Sequence, residues 1–307
     1  MKVLIVGLGS IGRKHLKSIN SIIPKAEIFA LRSSIYAEEY PSVTNIFKIE
    51  EIETVAIDFA IIANPTSEHK KTIEQLISFG FPLFIEKPIY SSLNIEDLVN
   101  SVESKGINTY VACNLRFLDC IRFIKDNLQF TSKKLNEVNV YCGSYLPDWR
   151  PNINFRQTYS ANVELGGGVH TDLIHELDYL YWIFGFPESV VRKFKNHSSL
   201  AITAFDYANY ILEYDHFCAS VILNYYRKDS KRTLELVFDD ETWNVDLLKN
   251  QIICNNLVLF SSEQRIADTY QTQMEYFIHC LAEEKGTFNT ITDAFKVLKI
   301  CINDAKG

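Results

Sequence analysis

Six residues near the start, Gly7-Leu8-Gly9-Ser10-Ile11-Gly12, carry glycine at the three positions that a dinucleotide-binding turn requires. Gly7 permits the tight turn, Gly9 admits a pyrophosphate close to the backbone, and Gly12 lets the following helix pack. Ser10 and Ile11 open that helix, whose unpaired N–H groups and dipole face the phosphates. The setting supports the motif: an apolar strand at residues 2–6 precedes it and an amphipathic helix follows. Cofactor selectivity belongs at the end of the second strand, about 20 residues on, where an NAD-binding chain carries Asp or Glu for the ribose 2′-OH. Here the chain reads Ala30-Leu31-Arg32-Ser33-Ser34. The acid is absent, and a guanidinium can pair bidentately with a 2′-phosphate, which points to NADP(H) over NAD(H).

Two later loops could do chemistry. Asn64-Pro65-Thr66-Ser67-Glu68-His69 closes a strand at 56–63, and Glu86-Lys87-Pro88 closes one at 82–85. Ligands of parallel sheets sit at the carboxyl ends of the strands, so both loops should border the nicotinamide. The Lys87 ammonium could stabilise a developing alkoxide or help to move its proton. Taken alone, Lys87 also reads as a surface side chain paired with Glu86. Ser67 reads better as a helix cap than as a ligand, and His69 suits a structural role as well as a cofactor contact.

The second half holds Gly166-Gly167-Gly168-Val169-His170-Thr171-Asp172-Leu173-Ile174-His175-Glu176-Leu177-Asp178. Three glycines allow a backbone to approach a ligand. On one helix over 169–184, Thr171, His175 and Asp178 share a stripe and Asp172 lies beside it. A neutral His175 can take the proton of a substrate hydroxyl while hydride leaves the carbon, and Asp178 is placed to hold its other nitrogen. Upstream, Trp149, Arg156, Tyr159 and Ser160 offer aromatic faces and a guanidinium fork, suited to a sugar ring and an anionic group. The same segment could instead pack on the sheet or meet another subunit.

These residues need a scaffold, and the spacing supplies one. Helices at 11–20, 67–79 and 95–105 alternate with strands at 2–6, 27–31, 56–63, 82–85 and 109–112. That alternation predicts an α/β Rossmann domain with a doubly wound parallel sheet. Past a boundary near 118 the rhythm changes: a helix at 120–128, a strand at 137–142, an irregular stretch over 143–168 and apolar–polar alternation over 189–260. Helices at 269–284 and 291–304 follow. The expectation is a domain over 1–118 and an α+β domain over 119–307 with an open, largely antiparallel sheet. Tyr210, Leu212 and Tyr214 recur at period two, which predicts an apolar outer face covered in a homodimer or homotetramer.

Composition narrows the classes. The 307 residues carry a net charge of −7 with no dense basic patch, which argues against nucleic acid. No apolar run reaches bilayer length, and the apolar run before Gly7 is too short for a signal peptide, so the chain reads as cytoplasmic. Seven cysteines without a CxxC pair argue against a disulfide framework and against a bound metal.

GLGSIG, ANPTSEH, EKP and the CNLRF run at 113–117 together resemble the glucose–fructose oxidoreductase / inositol dehydrogenase family (Gfo/Idh/MocA) over most of the chain. The resemblance implies a Rossmann domain followed by an open-sheet α/β domain, and oxidation or reduction of a hydroxyl carbon on sugars, nucleotide sugars or cyclitols. By resemblance Lys87 matches the family's active-site lysine and His175 its catalytic histidine, an acid/base pair. Asn64, Pro65 and Glu86 match cofactor-side positions, and Asn114 and Arg116 match the strand end below the nicotinamide. Where the family often carries Asp, four residues before the histidine, this chain has Thr171. Asp172 stands one residue later, as in a branch reading G-G-G-V-x-x-D-L-x-H-E-x-D. Thr171, Asp172, Arg116 and Lys87 join the expected substrate contacts. Two other readings stay open: a lyase or glycosidase that holds its dinucleotide without net redox change, and a non-catalytic NADP-binding sensor.

Overall fold

In the computed structural model, which describes residues 1–129 and 131–303, Lys2–Val6 forms β1 with Val3, Leu4, Ile5 and Val6 buried. An apolar run without alternation is what a strand covered on both faces requires. It pairs in parallel with β2 (Glu27–Leu31), and the sheet extends through β3 (Val43–Ile46), β4 (Phe59–Ile62), β5 (Leu83–Ile85) and β6 (Thr109–Val111) in the order β3-β2-β1-β4-β5-β6. The order reverses at β1, the switch point at which doubly wound sheets bind ligands. The crossovers include α1 (Ser10–Ile22), α2 (Thr66–Leu76) and α3 (Glu96–Ser104). The expected strand at 56–63 shrinks to its fully buried centre. β3, whose Val-Thr-Asn-Ile lacks a strong apolar pattern, is an edge strand that the sequence did not announce.

The second sheet follows α4 (Asp119–Leu128). It contains β7 (Leu135–Tyr145), β8 (Ser189–Lys195), β9 (Tyr207–Glu213), β10 (Cys218–Asn224), β11 (Tyr226–Phe238), β12 (Thr242–Asp246), β13 (Gln251–Cys254) and β14 (Leu257–Ser261). Their order is β14-β13-β12-β11-β7-β10-β9-β8, antiparallel except for the β7–β10 pair. Tyr210, Leu212 and Tyr214 do not form the outer face as expected. They are buried, and the Tyr210 hydroxyl donates to the Cys301 carbonyl at 3.1 Å. Period two separates two faces of a strand without saying which one the chain covers for itself. The outward set on β9 is Asn209, Ile211 and Glu213.

The helix expected over 169–184 is two: α5 (Val169–Asp172) and α6 (His175–Phe184), broken at Leu173 (φ −99°, ψ 30°). A stripe drawn at 100° per residue therefore does not run from Thr171 to Asp178. The stretch between β7 and α5 is built from short 3₁₀ turns at Leu146–Trp149, Phe155–Gln157, Tyr159–Ala161 and Val163–Leu165. Two helices end the described chain, α7 (Thr269–Ala282) and α8 (Ile291–Cys301).

By internal packing the chain falls into two units, Met1–Cys113 with Tyr270–Lys299, and Asn114–Thr269 with Ile300–Asn303. This differs from a single cut near 118 because the chain returns to the first unit. There Phe277 sits edge-on to Phe59 and Phe84, with ring centroids 5.3 and 5.5 Å apart. No helix among the described residues is long and apolar enough to cross a membrane.

Candidate active site

In the first unit the glycine turn closes on itself. A Cβ on Gly12 would lie 2.1 Å from the Gly7 carbonyl oxygen, so packing within the turn, more than helix on strand, demands glycine there. Gly9 differs, because a Cβ at that position would meet no atom within 4 Å. Nothing in the chain itself requires glycine at 9, whereas a phosphate drawn close to the backbone would. The first turn of α1 carries no acidic residue and its N-cap, Gly9, offers no side chain. The start of α1 thus fits the pyrophosphate of a dinucleotide, with Gly9, Ser10 and Ile11 as its backbone cradle.

At the end of β2, the Arg32 N–H donates to the Ile46 carbonyl. Its Nη1 donates to the Glu38 carbonyl and to Asn45 Oδ1, both at 3.0 Å, with the guanidinium over the Tyr40 ring. Arg13 Nη1 donates to the Tyr40 hydroxyl, which in turn donates to the Glu38 carboxylate, both at 2.7 Å. Ser33 and Ser34 are exposed beside this group. Sequence reasoning missed Arg13, Glu38 and Tyr40, since the last two lie in a loop without periodicity. Arg13, one residue past the last glycine, was the available signal.

Glu86 and Lys87 follow β5 directly. Glu86 Oε1 lies 2.6 Å from Nε2 of the fully buried His15, and Oε2 accepts from the Lys87 N–H at 3.2 Å. The carboxylate therefore braces the lysine's own backbone, which is a different role from a salt bridge with its ammonium. His15, on α1, was not singled out in the sequence. His69 is buried between two backbone carbonyls, Nε2 at 3.0 Å from Asn64 O and Nδ1 at 3.1 Å from Pro88 O. Burial lowers its pKa. It ties the two loops together and does not offer itself to a cofactor. Asn64 Nδ2 donates to Thr72 at 2.8 Å. The cap assigned to Ser67 is absent, because α2 starts at Thr66 behind Pro65.

In the second unit the acids after the glycines point to three different partners. Asp178 is held by Arg116, whose Nε and Nη2 donate at 2.9 and 2.7 Å, and Arg116 is only 1% exposed. Arg116 is therefore an internal anchor and not a substrate contact, and Asp178 serves it and not the imidazole of His175. Glu176 takes Arg232 Nε at 2.6 Å and Nη2 at 3.2 Å. Asp172 Oδ2 accepts from the Tyr225 hydroxyl at 2.5 Å. His175, buried, begins α6. Thr171, also buried, donates to the Gly168 carbonyl at 2.9 Å, a local helix-start bond.

Trp149 brings its ring edge-on to Tyr225, centroids 5.3 Å apart, and donates from Nε1 to Ser144 at 2.9 Å. The Tyr159 hydroxyl donates to the Gly166 carbonyl at 2.9 Å, and Arg156 Nη2 to the Leu200 carbonyl at 3.0 Å. A Cβ on Gly167 would lie 1.9 Å from the Tyr159 carbonyl oxygen, so this glycine serves the contact of two loops and not of a loop with a ligand. Buried Asn114 donates to Thr269 at 2.6 Å. The structure thus gathers Trp149, Asp172 and Tyr225, and Tyr225 is the member that sequence reasoning lacked. Among the described residues no cluster of His, Cys, Asp and Glu is arranged to hold a metal ion.

Comparison with known proteins agrees with both halves. Residues 1–112 match the Gfo/Idh/MocA model described as an oxidoreductase family with an NAD-binding Rossmann fold. Residues 129–237 match its C-terminal alpha/beta domain. An inositol 2-dehydrogenase of Corynebacterium glutamicum is 26% identical over 213 residues, 66% of this chain and 59% of that protein. An uncharacterized oxidoreductase of Bacillus subtilis is 29% identical over 194 residues, 59% of this chain and 53% of that protein. The chain therefore matches a little over half the length of these curated relatives. An oxidoreductase structure from Thermotoga maritima shares the fold with a TM-score of 0.85 at 20% identity, over 99% of this chain and 96% of that one.

Proposed function

Because the chain belongs to the Gfo/Idh/MocA oxidoreductase family, we propose that it is a dinucleotide-dependent dehydrogenase acting on a secondary hydroxyl, or the matching ketone, of a sugar, nucleotide sugar or cyclitol. The observation that carries this reading is the turn at the end of β1. Gly9 faces open space, no acid stands in the first turn of α1, and the same sheet sets Lys87 at the end of β5. The inositol 2-dehydrogenase relative supports the substrate class.

When bound, the dinucleotide supplies the hydride acceptor or donor. The chain's own residues handle the proton. In the oxidative direction His175 takes it from the hydroxyl, Lys87 stabilises the developing alkoxide, and Asp172 accepts a hydrogen bond from the sugar-like ring. Each turnover leaves a ketone, a reduced nicotinamide and one proton. Arg32, with Ser33, Ser34 and Arg13, favours NADP(H): among the described residues Arg32 commits only Nη1 of its three nitrogens, and the Glu38 carboxylate of this corner is engaged by Tyr40 and Arg13.

We also propose that the outer face of the second sheet joins two copies. Lys195 and Lys231 lie in one cross-strand row of that face, and Glu213 and Glu137 in another toward its opposite end. A two-fold axis lying between the two faces and running across the strands would set each basic row on an acidic one. Sedimentation of the parent and of a Lys195→Glu/Lys231→Glu variant tests this: the parent should form a dimer or tetramer, and the variant a smaller species. The activity is tested by nicotinamide absorbance with inositols, hexoses and nucleotide sugars offered with NADP+ or NADPH. Turnover of one class is expected, and a bound dinucleotide that never changes redox state with any of them would overturn the reading.

A further inference from the structure

Tyr225 stands in the single-residue gap between β10 and β11. Its backbone is fixed on both sides: the N–H donates to the Asp206 carbonyl at 3.0 Å, and the carbonyl accepts from Leu146 N at 2.8 Å. Its side chain is fully buried, with the Trp149 ring edge-on against it. The hydroxyl donates to Asp172 Oδ2 at 2.5 Å and also shares a hydrogen bond with Ser160. Asp172 ends the short helix α5 just before the chain breaks at Leu173.

We infer that Tyr225 is a positioning residue: its hydroxyl fixes the Asp172 carboxylate in one rotamer as the acceptor for a substrate hydroxyl. This rests on the dehydrogenase reading proposed above. Three features separate this role from simple packing. A phenylalanine would fill the same space against Trp149, so the ring alone does not call for tyrosine. The hydroxyl is aimed at a carboxylate on the last residue of a four-residue helix. Burial, with the Asp172 charge beside it, pushes the Tyr225 hydroxyl well above its usual pKa, so it stays a donor throughout the working range.

The test compares the parent chain with Tyr225→Phe, Asp172→Asn and the double variant, with the dinucleotide bound and with whichever polyol or ketone the parent turns over. Dinucleotide affinity reports folding and should not change. Tyr225→Phe should lower kcat/KM by about 10- to 100-fold, the value of one charge-assisted hydrogen bond. The loss should appear in kcat and in the KM for the polyol or ketone, while the KM for the dinucleotide stays within about twofold. In the Asp172→Asn background the same change should cost less than threefold, because Tyr225 acts through Asp172. An equal rise in the KM for the dinucleotide, or losses that simply multiply in the double variant, overturns the inference while leaving the dehydrogenase reading intact. A parent chain that binds the dinucleotide but turns over no hydroxyl or ketone overturns both. If Tyr225→Phe fails to bind dinucleotide, Ser160→Ala, which loosens the same hydroxyl, should lower kcat/KM to a smaller extent with the dinucleotide KM unchanged, and no loss overturns the inference.

Discussion

Arg116 and Asp178, 62 residues apart in the chain, form a two-pronged ion pair with both side chains 1% exposed. A guanidinium and a carboxylate matched fork to fork satisfy each other's hydrogen bonds in a place that water does not reach. The pair ties the 3₁₀ turn at Asn114–Phe117 to the first turns of α6, the helix that begins with His175. Its function is to hold His175's helix, and the substrate chemistry falls to other residues.

Removing one partner strands a buried charge. Arg116→Ala or Asp178→Asn should destabilise the protein by about 3–5 kcal/mol. Replacing both, as in Arg116→Met with Asp178→Leu, should cost clearly less than the sum of the single changes. Urea unfolding of the three variants checks this, and additive losses would contradict the pairing.

How much of this was readable beforehand depends on range. The strand, turn and helix from Lys2 to Ile22 rest on consecutive residues, an apolar run and three glycines, and the sequence displays them directly. The Arg116–Asp178 pair joins distant segments, and composition carries no trace of it. The break at Leu173 was hidden because Leu173 and Ile174 are ordinary helix formers, while Asp172, Glu176 and Asp178 are drawn to Tyr225, Arg232 and Arg116 in three directions. Tyr225 was one of 16 tyrosines, and only the fold sets it against Asp172. Likewise, period two in β9 showed an apolar face but not the helices that cover it.

His175→Ala and Lys87→Ala separate binding from chemistry. Loss of a positioned proton-transfer group costs about 100- to 10,000-fold in rate. His175→Ala should therefore lose that much kcat with dinucleotide affinity unchanged, and Lys87→Ala should lose kcat with a modest rise in KM. Stopped-flow absorbance with fluorescence titration of the dinucleotide measures both. Near-parental turnover by His175→Ala would remove it from the mechanism.

Arg32 sets the expected cofactor preference. An Arg–phosphate pair contributes about 1.5–3 kcal/mol through charged hydrogen bonds. Arg32→Ala should weaken NADPH binding by about 10- to 100-fold and leave NADH within threefold. Arg13→Ala should do the same more weakly, because its guanidinium reaches the same corner through Tyr40. Tighter binding of NADH than NADPH by the parent would show that the strand end does not read a 2′-phosphate.

His170 should make stability fall in mild acid. Its ring is buried against Phe194 and Phe205, with centroids 5.1 and 5.5 Å away, and Nδ1 has no hydrogen-bond partner among the described residues. Burial holds its pKa down to about 4 from the usual 6.5, against a smaller upward pull from Asp172. Because the folded pKa lies below the unfolded one, the unfolded chain binds the extra proton first as pH drops. The contribution is complete above pH 6.5, falls as pH goes from 6.5 toward 4, and has vanished below 4. Its full size is about 3 kcal/mol at most, since each pKa unit corresponds to about 1.4 kcal/mol. Denaturation curves between pH 7 and pH 4 should steepen this loss in the parent relative to His170→Gln, which cannot titrate. The buried His69, its pKa also lowered, should leave a residual slope of the same sign in that variant. Parallel curves for parent and His170→Gln would mean that His170 titrates alike in the folded and unfolded chains, and that the burial around its ring does not exclude the charge.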